Sequence, residues 1–232
     1  MTLRYYLQKI IESHEIGLIS DDIFKEFFNI LPKVDNIINE IEKIFDLKFP
    51  PIIIDPNLII IKYPSSFTKT VVYALTKIQK LNSEYRLCIE ISLPFILFAK
   101  EDLLKACLIH EFLHYIYATI IIGKKDIEKL SSQKPISPEV LIGFDDVYMV
   151  KPEDWIKNSE IINLLKKYFN PIIKDSDLEE KINENWIKKS LPIKEIKSEN
   201  LQIRIPILEV DKILLDNKIL ERVKNIDKYF IK

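Results

Sequence analysis

The sequence predicts an α+β fold, with helices at both ends and a small mixed sheet between them. Three observations carry this. Apolar residues at 34, 37, 38, 41, 44 and 45 form a helical stripe within VDNIINEIEKIF. Between residues 51 and 93 the pattern changes to short β-branched runs. Residues 103–122, LLKACLIHEFLHYIYATIII, are apolar nearly all round with no Gly or Pro, as in a helix buried on every side.

In chain order, residues 3–13 and 21–31 read as two short helices broken near Gly17, the second closed by Leu31-Pro32. His14, between them, has no acidic or cysteine framework and reads as a surface or capping residue. The stripe at 34–45 gives a third helix. Runs at 51–54, 58–63, 70–77 and 85–93 predict three or four strands, with a polar turn at Leu81-Asn82-Ser83. Leu87, Ile89 and Ile91 alternate with Cys88, Glu90 and Ser92, as in a half-buried strand. The long helix follows, opened by Glu101 and Asp102 and closed by Gly123. After a polar stretch to about residue 150, helices are expected at 154–169 and 175–189, and a last amphipathic helix or pair at 207–231.

The 232 residues suffice for one domain with extensions. With 34 basic and 35 acidic residues, net charge −1, there is no global pull toward nucleic acid or acidic membranes, and Lys and Arg are spread instead of clustered. Cys88 and Cys107 form neither a disulfide framework nor a C-x-x-C clip. Cys107, three residues before His110, reads as an inert core thiol in preference to an extra metal ligand. No apolar run was long enough to suggest a membrane span and the start does not read as a signal peptide, so a soluble, cytoplasmic setting is expected.

The chemistry lies in His110-Glu111-Phe112-Leu113-His114, which holds two of only three histidines. On a helix, residues four apart leave the same face, so both imidazoles can share one metal ion. Glu111 projects about 100° from His110, beside such an ion, where a base can take a proton from bound water. A catalytic zinc takes a third protein ligand. Neither His nor Cys follows His114, so that ligand is a carboxylate or comes from upstream. In LEEKINENWIKK, Leu178, Ile182 and Trp186 form the buried stripe and Glu179 lies at its margin, one turn before Asn183. Glu179 leads the candidates, ahead of Glu184, with Glu160 and Glu153 further alternatives.

A backing helix, a sheet leading into an H-E-x-x-H helix, and a downstream glutamate helix resemble the gluzincin zinc metallopeptidases, with particular similarity to minimal archaeal members. The resemblance covers roughly residues 34–190. Glu179-Glu180-Lys181-Ile182-Asn183 matches that group's second helix except at Ile182, where a small residue is usual. The resemblance implies a zincin-like fold with zinc held by His110, His114 and Glu179, Glu111 as general base and acid, and Asn183 supporting the ligands from behind. It implies hydrolysis of a peptide or protein substrate through a zinc-bound water, with the strand at 85–93 as the edge that pairs with the extended peptide. The expected organisation is a helical extension (1–33), a peptidase domain (34–192) and a second extension (193–232) that could cover the cleft and keep the enzyme latent, or mediate a homodimer. Such families steady the oxyanion with a downstream His or Tyr, and here Tyr148, Tyr168 or Arg204 would serve. The competing expectation is a non-catalytic zinc-binding regulatory or interaction protein on the same fold.

Overall fold

A computed structural model describes residues 4–62, 69–123, 139–142, 150–169, 175–197 and 203–224. It is a mixed α/β arrangement of helices around small sheets. A short strand β1 (Tyr5–Tyr6) precedes helices α1 (Gln8–Glu15) and α2 (Asp21–Phe45). Strands β2 (Ile52–Asp55), β3 (Leu58–Lys62), β4 (Lys69–Val72), β5 (Ala74–Leu81) and β6 (Glu84–Ser92) follow. Then come α3 (Leu93–Phe98) and the motif helix α4 (Glu101–Gly123). Downstream lie β7 (Glu139–Ile142), helices at Pro152–Trp155, Ser159–Tyr168 and Ser176–Ile182, β8 (Ile193–Lys197), β9 (Ile203–Pro206), β10 (Ile213–Leu214) and a helix at Asn217–Val223.

The expected break of α2 at Leu31-Pro32 does not occur. One helix runs from the Ser20 cap, whose Oγ accepts from Ile23 N, to Asp46 in the left-handed conformation. Pro32 faces solvent on the helix's outer side, while Phe27, Val34, Ile37, Ile38, Ile41 and Phe45 are buried along the inner one. The continuous stripe outweighs the lost backbone hydrogen bond at the proline, since each such buried side chain is worth about 1.5–3 kcal/mol. The expected boundary at residue 33 therefore falls inside a helix.

In the main sheet β6 is central. On one side it pairs antiparallel with β5, from Ala74↔Ile91 to Leu81↔Glu84. On the other it pairs parallel with β2 (Ile52↔Ile89 to Asp55↔Ser92) and with β10 (Ile213↔Tyr85, Leu214↔Arg86). This corrects the expectation that residues 85–93 form the edge: among the described strands the edge beside the motif helix is β5. It also corrects the half-buried reading of that strand, because Leu87 through Ser92 are all buried. One face packs against α4, and the other is covered by Tyr6, Ile53 and Leu81 around Cys88. The expected strand at 70–77 is split at Tyr73, with β4 joining a second sheet in the order β4-β3-β8.

Described residues beyond 192 take part in these sheets: β8 pairs parallel with β3, and β10 with β6. In place of the expected amphipathic helix or pair at 207–231, the described residues make a 3-10 turn at Ile207–Lys212, the strand β10 and the helix Asn217–Val223, whose Ile219 and Val223 are buried. Leu220 packs so closely on the end of α4 that a Cβ on Gly123 would overlap its side chain. Contrary to the expectation from apolar run length, α4 is long and apolar enough to cross a membrane by length and composition, but it is mostly buried within the protein.

Two buried carboxylates tie the N-terminal helix and β8 to the main sheet. Lys9 Nζ lies 2.6 Å from Glu90 Oε1 and 3.2 Å from Asp55 Oδ2, Lys77 lies 2.7 Å from Glu90, and Lys194 lies 3.7 Å from Asp55. Burial alone would raise the Asp55 pKa, but the side-chain and backbone N–H groups of Asn57, with Lys9 and Lys194, outweigh it and hold the pKa below the ordinary carboxylate value. The associated stabilisation is therefore complete above about pH 4, and it is lost as pH falls through the folded-state pKa. Urea unfolding followed from about pH 6 to about pH 3 is expected to show a larger loss of stability in wild type than in Asp55→Asn. Equal losses would place the acid sensitivity elsewhere.

Candidate metal centre

Helix α4 carries the whole motif. Of its 23 residues 16 are buried, Glu111 among them, and His110 and His114 are half-buried at the margin of those apolar surroundings. Phe112 packs against Phe45 and Phe49, with ring centroids 4.9 and 5.1 Å apart, and this locks the helix's rotation about its axis. His110 and His114 consequently emerge together on the opposite flank. Their Nε2 atoms are 2.8 Å apart and their rings are perpendicular.

At that distance one nitrogen donates a proton to the other. Burial, together with the neighbouring His114, pushes the His110 pKa well below its usual value, and burial brings His114 down to about 4. Both rings are thus neutral at physiological pH, the form in which imidazole binds a metal. Phe169, just after the helix Ser159–Tyr168, stacks flat on His110 with centroids 4.0 Å apart and planes 3° from parallel. It fixes the ring's orientation and covers one face.

Glu111 is buried, at 7 % exposure. Burial raises its pKa to about 7, against the opposing effect of hydrogen bonds from Thr76. Thr76 Oγ1 stands 2.8 Å from Glu111 Oε2 and 3.0 Å from the Glu111 carbonyl oxygen, and it comes from the edge strand β5. Its place opposite Ile89 puts it on the sheet face that packs against α4.

His110, Glu111 and His114 place one potential ligand atom each within 4.8 Å of one another, and they are the one such metal-capable group among the described residues. The donor set suits zinc. Two nitrogens on a tetrahedral zinc stand about 3.3 Å apart, so replacing the shared proton by an ion asks the rings to part by about half an ångström.

Glu179 does not belong to this group. It lies exposed on its helix, and its charge acts on the Tyr73 hydroxyl, which also feels Cys107 one turn before His110. Leu178, Ile182 and Trp186 are buried as expected, and they orient the helix. The expected helix at 175–189 turns π-helical at Asn183–Ile187, and Asn183 Nδ2 reaches Glu184 Oε1 at 3.5 Å, which in turn pairs with Lys188. Glu153 faces Lys166 at 3.9 Å, and Glu160 is exposed at the start of its helix. Cys107 is fully enclosed, and burial holds its thiol well above the usual pKa, in keeping with an inert core residue. His14 Nε2–H donates to Asp21 Oδ1 at 2.7 Å and the ring stacks on Phe24, at the turn between α1 and α2. Tyr168 is buried, with its hydroxyl within electrostatic reach of Lys100 ahead of α4. Tyr148 and the Arg204 side chain lie outside the described residues.

Thr76 and Phe169 are the site neighbours that sequence reasoning missed. The alternation of β5 could have flagged a polar residue on a core-facing position. Nothing local marks Phe169. No family model, curated protein or solved structure matches this chain.

Nuclear magnetic resonance of the metal-free protein is expected to show His110 and His114 neutral at pH 6, with His114 protonating near pH 4. Protonation of either near pH 6.5 would contradict the burial described.

Proposed function

We propose that this chain is a zinc-dependent peptidase of gluzincin type on a zincin-like fold. The observation that carries the reading is the convergence of two neutral imidazoles and a buried carboxylate on one point, beside a strand whose recognised pairing among the described strands is with β6 alone. His110 and His114 would hold the ion, with a carboxylate from outside the cluster of His110, Glu111 and His114 completing the ligand set. Zinc in that position would supply Lewis-acid activation of a water molecule and of a carbonyl oxygen. Glu111 takes the proton from the attacking water and returns it to the leaving amine nitrogen. A pKa of about 7 suits both transfers near neutral pH. Strand β5, paired only to β6 among the described strands, supports placing an extended peptide alongside it.

A second reading, a non-catalytic zinc-binding regulatory protein, is favoured by one observation. Glu111 is near enough to both imidazoles to serve as a ligand instead of a base.

Purified protein is expected to bind one zinc per chain and lose it in His114→Ala. Glu111→Gln should retain zinc but lose peptide hydrolysis by at least about a hundredfold. Full hydrolysis in Glu111→Gln would remove the catalytic reading. Because Glu179 stands outside the cluster, Glu179→Gln is expected to lower zinc occupancy less than His114→Ala. An equal loss would make Glu179 the third ligand.

A further inference from the structure

The two readings of Glu111 differ in where its carboxylate rests, and one hydrogen bond bears on that. Thr76 is 3 % exposed, and its hydroxyl is 2.8 Å from Glu111 Oε2 and 3.0 Å from the carbonyl oxygen of the same residue. The hydroxyl has one proton to donate, so the two acceptors compete for it. The carbonyl's distance is fixed by the helix, whereas the carboxylate can rotate.

We propose that Thr76 is a positioning residue that holds the Glu111 carboxylate out of the coordination sphere of a metal bound by His110 and His114. This rests on the metal-site reading above. The carboxylate has two options within a few ångströms. It can keep the Thr76 hydrogen bond and stay free to move protons, or it can break that bond and become a third ligand. A buried hydroxyl facing a charged acceptor favours the first. Strand β5 delivers the hydroxyl from across the sheet, and the antiparallel pairing with β6 sets its height along α4. Thr76 thus acts on the metal through Glu111, without touching it.

Removing this polar group should therefore raise metal affinity. Thr76→Val keeps the shape of the side chain and deletes the hydroxyl. Zinc affinity, measured by competition with a chromophoric chelator, is expected to tighten by about tenfold in Thr76→Val, because the hydroxyl then no longer opposes ligation by Glu111. Thr76→Ser should bind within about twofold of wild type. In a Glu111→Gln background the Val substitution should have no effect. Thr76→Ala serves in the same comparison if Thr76→Val does not fold. Unchanged affinity in Thr76→Val, or tightening that persists in Glu111→Gln, would overturn the proposal and leave the metal site standing. A wild type that binds no zinc would overturn both.

Discussion

The structure depends on burying α4 on every side. A helix of this apolarity has no solvent face, so the sheet, α2, and the helices after residue 150 must enclose it. Enclosure is what gives the motif its chemistry. The same apolar walls that stabilise the helix hold two imidazoles neutral and raise a carboxyl toward neutrality. On a solvated helix, His110, Glu111 and His114 would have ordinary side-chain acidities and no reason to stay ordered.

Burying a carboxylate without partners costs several kcal/mol, so the fold must answer for Glu111. Its partner is Thr76, on β5, which alone among the described strands of the main sheet runs antiparallel to β6. The sheet is thus part of the site: shifting the β5–β6 register by one residue would turn Thr76 away from α4 and bring a neighbour from the other face in its place. Phe169 plays the matching part for His110, holding the ring flat from the opposite side.

Much of this was legible in the residues. The motif helix, the stripe from Val34 to Phe45, the Asn82-Ser83 turn with its positive φ angles, and the buried Leu178, Ile182 and Trp186 all follow from local periodicity and turn chemistry. What local pattern could not carry was pairing. Strand β6 reads as half-buried because Glu90 and Cys88 alternate with Leu87 and Ile91, and the family resemblance implies that it is the edge. It is central because Lys9 and Lys77 come from elsewhere in the chain to meet Glu90. Pro32 reads as a stop because the packing that overrides it is tertiary. The same limit applies at the site. Helix geometry alone aligns His110 with His114, whereas the position of Glu179 depends on how two distant helices dock, and the π-helical turn at Asn183–Ile187 changes which way the following side chains face.

On the proposed reading, α4 presents a metal seat between its two histidines, with Glu111 beside it and not on it. The most direct measurement is X-ray diffraction at the zinc absorption edge from crystals grown with zinc. A single anomalous peak bonded to Nε2 of both His110 and His114 is expected, with the Glu111 carboxylate still hydrogen-bonded to Thr76. A site without a peak, or a peak bound elsewhere on the protein, would contradict it.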